Sequence, residues 1–401
     1  MGLEEETIML EETGIEREAK GKKVETAMKQ AGLFFFLLMI LELPYALLVN
    51  YVQMQFRLEY DTLISVLMTQ GYLLIMAIVY IIVTKKSFTR DLHVRKYKVS
   101  TFFLSLVVLM VASPMATWLN VLSQLFAKNS TSGAIYDITR NVPAWLGIVI
   151  IGCLPGFVEE TLYRGIMYSA FRQRSILTGV VISGLSFGLM HMNFNQILYA
   201  VYLGIVFALL VEATGSLVSS MILHMIFNGL NTSYLYLLPK LYDFLGKFST
   251  EYANFNLETE LSKTPERAQL YPMLEVLAPT AVGGIVLMIL LLKFIAKLNG
   301  REFTWQSIRA PKKGTENVKP INVWVILGWI FCLVFARAGR SRTTTPPPCA
   351  AQQTCLPSTW PTRSITRRSR ARRMTVWLPW VGRHWPTRWR RWATPTPPRP
   401  H

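Results

Sequence analysis

Charge is scarce in this chain: 16% of the 401 residues are Asp, Glu, Lys or Arg, against 51% hydrophobic ones. That balance excludes a disordered polymer and argues against an ordinary soluble enzyme. Cysteine is scarce as well. The four present, Cys153, Cys332, Cys349 and Cys355, form neither a Cys-x-x-Cys metal pair nor a disulfide framework. No glycine-rich phosphate loop, dinucleotide fingerprint or fixed-period repeat occurs. The opening residues are too polar and acidic for a signal peptide, and Glu6 stands where a myristoylation site needs Ser or Thr.

Residues 337–401 lack Lys, Asp, Glu, Asn, Phe and Tyr, yet hold 14 Arg, 11 of the 21 Pro and 6 of the 11 Trp. Setting those 14 Arg aside leaves 28 basic and 24 acidic residues upstream, so the net charge of +18 falls to +4 for the body. A nucleic-acid partner for the body gains no support. The tail reads as disordered or translated out of frame; the other reading is a functional Arg/Pro/Trp segment for anionic lipid or nucleic acid.

What the chain does have is long apolar runs, at 31–52, 63–84, 101–127, 144–171, 176–192, 196–215, 216–239, 273–297 and 321–336. Most approach the roughly 20 residues that cross a bilayer core as a helix. The expected fold is therefore all-α: a polytopic integral membrane bundle of about eight or nine transmembrane helices. Residues 1–30 read as a polar arm, 31–336 as the membrane domain, and 240–272 as an external loop with room for one surface helix. Lys and Arg concentrate in the arm, in 85–98, in 172–174 and in 297–319. The intervening loops are poorer in cations, so the N-terminus is expected in the cytoplasm. A bacterial plasma membrane suits these short polar arms and lysine-rich loops.

Ionisable groups inside spans are costly and so are candidates for function. Among the five histidines only His191 and His224 lie in apolar runs, and the clearest acidic feature is the pair Glu159-Glu160. On a helix these two point about 100° apart, and Glu160 can pair with Arg164 at i+4, leaving Glu159 free. Glu160 lies roughly 21 Å in from Arg174 and His191 roughly 22 Å in from Ile176, at 1.5 Å per residue. His224 and Asn228, also i and i+4, lie roughly 12 and 18 Å into their run. A carboxylate beside a histidine can activate water, and a second histidine with an amide can hold an oxyanion. Glu159, His191 and His224 can alternatively hold zinc. Other readings of the same residues are a hydrogen-bonded packing role for each histidine, a proton relay in a transporter, and a core role for Phe187. Glu42 and Glu212 are left without a function.

The three segments Glu159-Glu160-Thr-Leu-Tyr-Arg164, Phe187-Gly-Leu-Met-His191 and His224-Met-Ile-Phe-Asn228 resemble the three motifs of the CPBP family. That family comprises the CAAX prenyl endopeptidases and bacteriocin-processing enzymes, also called Abi. The resemblance covers about residues 144–235. It implies an intramembrane endopeptidase of the glutamic type in which Glu159 and His191 activate water, and His224 and Asn228 stabilise the oxyanion. Glu160, Arg164 and Phe187 would support them, with no cofactor, or with zinc as the lesser option. The implied partners are a peptide or lipidated protein substrate and membrane lipid; the oligomeric state is left open. A non-catalytic scaffold, immunity or regulatory protein and a proton-coupled transporter are the rival functions.

Overall fold

The computed structural model describes residues 2–55, 62–129 and 131–343. Each of the nine apolar runs is helical, and no strand occurs among the described residues. In chain order the main helices are α1 (Gly2–Gln55), α2 (Thr62–Thr84), α3 (Val99–Gln124), α4 (Thr131–Asn141), α5 (Ala144–Phe171) and α6 (Ile176–Met190). They continue with α7 (Phe194–Thr214), α8 (Leu217–Leu245), α9 (Arg267–Leu298) and α10 (Val323–Thr343). The molecule is a polytopic helical membrane bundle.

Six helices, namely α1, α2, α3, α5, α7 and α9, are long and apolar enough to cross a membrane. The other three of the nine apolar runs are helical but fall outside that measure. Helix α6 and the apolar part of α10, Val323–Arg337, are short. Helix α8 has the length, but His224, Asn228, Asn231 and Thr232 lower its hydropathy. The arm differs too: it is helical from Gly2 and continuous with the first span, and Val24, Met28 and Ala31 are buried in the core. Helix α10 runs past the expected boundary at 336 to Thr343, and residues 344–401 lie outside the described residues. The 240–272 loop is shorter than expected, because α8 and α9 extend into it. It carries two short helices, Thr250–Ala253 and Leu257–Ser262, rather than one.

Burial sorts the helices into layers. In α5 and α7, 61% of the most apolar window is buried, against 28–33% in α1, α2, α3 and α9. The first two are thus the centre of the bundle. The outer helices present Ile82, Val83, Met110 and Val276 on the outside, as lipid-facing surfaces do. Without a hydrophobic force between helices in lipid, close contact depends on small residues. A Cβ on Gly156 of α5 would come within 2.8 Å of the Met225 backbone nitrogen of α8. One on Gly204 of α7 would come within 2.9 Å of the Gly184 Cα of α6. These glycines bring α5, α6, α7 and α8 to backbone contact, which packs the three motifs together.

The cation-rich loops share one end of the bundle. The Lys312 N–H donates to the Arg174 carbonyl at 2.7 Å and that of Leu217 to the His93 carbonyl at 2.9 Å, while the Arg301 side chain reaches Glu212. Arg140 of α4 pairs instead with Glu258 in the 240–272 segment. Loops assigned to one side by their charge are therefore neighbours in space.

Candidate active site

Helix α5 is not uniform. Residues Ile148–Cys153 and Thr161–Tyr168 are π-helical, with the α-helical stretch Leu154–Glu160 between them. Pro155 explains the first: it has no N–H, and its ring would clash with the carbonyl four residues back. The turn widens there, and the Leu154 N–H bonds the Val149 carbonyl five residues earlier. Glu159 and Glu160 thus sit between two widened turns, a placement frequent at functional sites.

Both carboxylates are buried, Glu160 completely and Glu159 to within 7%. Their partners differ. Glu160 Oε1 accepts from Arg164 Nη1 at 2.7 Å and from His224 Nδ1 at 2.9 Å. Glu159 Oε1 accepts from Gln70 Nε2 at 3.0 Å, and its Oε2 faces His224 Nε2 at 3.9 Å. The latter exceeds hydrogen-bond length. His224 is therefore held between the two acids, one nitrogen bonded to Glu160 and the other turned toward Glu159. The expected Glu160–Arg164 pair forms, with both side chains fully buried, even though the backbone between them is partly π-helical.

His191 ends α6. Its main chain follows the helix to an αR C-cap, Met192 then takes φ +47°, and Asn193 caps the start of α7. The His191 ring Nδ1 donates to the Phe187 carbonyl at 2.9 Å, satisfying a carbonyl at a helix end. A carbonyl only accepts, so Nδ1 carries the proton and Nε2 keeps its lone pair. Fifteen residues of α6 rise only about 22 Å, less than a bilayer core of about 30 Å. The α6–α7 turn carrying His191 therefore falls short of the far surface.

Phe187 is more than core filling. Its ring lies under the Arg164 guanidinium at 4.2 Å and edge-on to His191 and His224 at centroid distances of 5.2 and 5.7 Å. One ring thus spaces the two histidines and accepts the buried cation. Asn228, one turn beyond His224 on α8, is half-buried. Among the described residues no group of three or more His, Cys, Asp or Glu side chains is placed to hold a metal ion.

The sequence gives the motif residues but misses two others. Gln70 of α2 is 89 residues from its partner Glu159 and belongs to no motif; a buried glutamine in an apolar span is the only signal. Glu212, left without a function, binds Arg172 and Arg301 at 2.7 Å each and accepts from Tyr168. Its signal is a carboxylate within one turn of the cationic end of a span.

With the geometry in view, the comparison with protein families becomes specific. Residues 140–230 match the type II CAAX prenyl endopeptidase Rce1-like family. That stretch contains every residue of the three motifs and carries with it a CAAX-type membrane protease kind of function. The match covers α5, α6, α7 and α8 as far as residue 230, the helices that the glycines draw together, and leaves Gln70 outside it. No curated protein and no solved structure matches the chain.

Gln70→Leu should lower cleavage about ten- to a hundredfold through kcat with little change in KM. It deletes one hydrogen bond to a buried charge, an interaction of about 1.5–3 kcal/mol. Steady-state kinetics of the variant beside wild type checks this, and an effect confined to KM contradicts the assigned position.

Proposed function

We propose that the chain is an intramembrane endopeptidase that hydrolyses a peptide bond in a small or membrane-associated, CAAX-like substrate, with Glu159 as the general base. The observation that supports it is the unequal holding of two adjacent buried acids. Arg164 is hydrogen-bonded to Glu160, whereas Glu159 accepts from the Gln70 amide and faces His224 Nε2 without a direct bond to a cation among the described residues. Different surroundings give neighbouring carboxylates different tasks.

A water placed off the line between Glu159 Oε2 and His224 Nε2 can hydrogen-bond to both across their 3.9 Å separation. Glu159 takes its proton as the oxygen attacks the scissile carbonyl carbon. The Asn228 amide donates to the oxyanion that forms, and a His224 ring that enters the step already protonated at both nitrogens, its Nδ1 held by Glu160, adds a second donor at Nε2. As the C–N bond breaks, the proton passes to the leaving amine, directly or through His191 Nε2. Glu160, Arg164 and Phe187 fix His224 without touching the substrate. No metal enters this scheme. The cationic loops mark the cytoplasmic side by the positive-inside rule, and the bacterial plasma membrane is the proposed location.

The test uses the full chain in phospholipid vesicles with farnesylated and unfarnesylated CAAX peptides in ¹⁸O-labelled water. The expected result is a released tripeptide, with one ¹⁸O in the new carboxylate of the remaining peptide and a rate that a chelator leaves unchanged. Failure to cleave either peptide contradicts the CAAX-like substrate, and loss of the rate on chelation contradicts the metal-free scheme.

A further inference from the structure

At the cationic end of the bundle lies a cavity of about 180 Å³, lined by His93, Arg95, Tyr168, Arg172, Glu212 and Arg301 among others. Along α5 it is roughly 12 Å from the acid pair at helical rise per residue, and no residue of the three motifs lines it. Its charges do not balance. Three guanidiniums face one carboxylate, and the half-buried Lys312 amine is near enough to feel Arg172, Glu212 and Arg301. Burial pushes that amine down to about 8, and burial with the nearby guanidiniums pushes His93 down to about 4, leaving the imidazole neutral.

The hydrogen bonds show what is already used. Glu212 takes Nε and Nη2 of Arg172 at 2.9 and 2.8 Å and Nη2 of Arg301 at 2.7 Å. Arg301 Nε donates to the Glu212 carbonyl, and Arg95 Nε to the Thr89 carbonyl at 3.1 Å. Nη1 of Arg172, Nη1 of Arg301 and both terminal nitrogens of Arg95 have no hydrogen-bond partner among the described residues. Glu212 therefore aligns two guanidiniums but leaves donors from three arginines unspent. The wall is fixed at two points. His93 holds φ +57° while its carbonyl takes the Leu217 N–H. Gly215, at φ +75°, has no Cβ to crowd Arg301 Nη1, which a Cβ would approach to 3.0 Å.

Arg172 is largely buried, and a buried cation with more positive than negative charge around it is stabilised when an anion joins it. Guanidiniums that line one cavity from three segments suit a tetrahedral oxyanion with several acceptors better than a planar carboxylate, which two forked bonds already saturate. The cavity is below the 300–1,000 Å³ typical of drug-sized ligands, so it fits a compact group and not a peptide. From this geometry we infer that the Arg95–Arg172–Arg301 cavity is a binding site for a phosphate oxyanion, with an anionic phospholipid headgroup at the cationic membrane face as one source and a soluble phosphate as the other.

The test measures lipid retained by the full chain after transfer from vesicles of equal phosphatidylglycerol and phosphatidylcholine into neutral detergent, by native mass spectrometry. Arg95 is exposed at the rim and touches neither Glu212 nor the acid pair, so Arg95→Glu should fold normally, as its thermal transition reports. Wild type should retain phosphatidylglycerol in preference to phosphatidylcholine. Arg95→Glu should retain it about tenfold less, as reversal of a charge within a few ångströms of the phosphate implies, and Arg95→Lys should stay close to wild type. A second arm titrates the lipid-free protein with inorganic phosphate against chloride at equal ionic strength. Stabilisation by phosphate assigns the site to a soluble source, and lipid retention without it assigns the headgroup. Equal retention of both lipids with no phosphate effect, or undiminished phosphate-group binding in a folded Arg95→Glu, overturns the inference.

Discussion

Glu159→Gln should reduce peptide hydrolysis about 10²–10⁴-fold, the range that a positioned general base contributes, while leaving the fold intact. The glutamine has the same shape and can still accept the Gln70 N–H at its carbonyl oxygen, the contact now made at 3.0 Å. What it lacks is a site for the proton that water must lose. Purified wild type and variant in vesicles, matched for thermal transition and assayed by product formation, check this. Substrate binding should be almost unchanged, so the loss belongs in kcat. An intact rate would remove Glu159 from the chemistry and return the pair Glu159-Glu160 to a structural part.

Arg164→Leu should have the largest effect on stability. The guanidinium is fully buried against an equally buried Glu160, so removing it strands a carboxylate in the apolar interior. Breaking a buried pair from one side costs about 3–5 kcal/mol, enough to consume much of the stability of an ordinary domain. The loss has a second part. Phe187 and Phe207 pack under the cation at 4.2 and 5.4 Å, and a leucine cannot replace that attraction. Glu160→Gln/Arg164→Met should recover a good part of the stability without recovering activity, because the charge is gone but His224 has lost its carboxylate partner. Thermal unfolding in one detergent, together with turnover, checks both halves. A single variant more stable than the double variant would contradict the ion-pair explanation.

Much of this was legible in the residues. Apolar runs of about 20 residues mark helices whatever their neighbours, because a bilayer demands internally satisfied backbone, and all nine runs are helical. The Glu160–Arg164 and His224–Asn228 spacings also follow from helical period alone, and the first is met as a bonded pair. The runs are unequal in hydropathy, since one such as 216–239 gives it up to the residues that form the site. Other features depend on distant parts of the chain. Gln70 reaches Glu159 from another helix, and Arg301 reaches Glu212 across 89 positions; no local spacing encodes either contact. The π-turn at Ile148–Cys153 has a local cause in Pro155, yet a proline in an apolar run equally permits a kink or an end. Glu212 was passed over because a lone carboxylate near the end of a span reads as an interfacial residue until the guanidiniums around it are placed.

The most direct measurement compares peptide termini in membranes holding wild type with those holding Glu159→Gln at equal abundance. Proteolysis by the buried carboxylate predicts new termini in the wild type that vanish in the variant, and their sequences name the bond that is cut. Identical terminus profiles, with both proteins rescuing the same phenotype, would contradict a protease and leave a membrane scaffold that keeps the three motifs for packing.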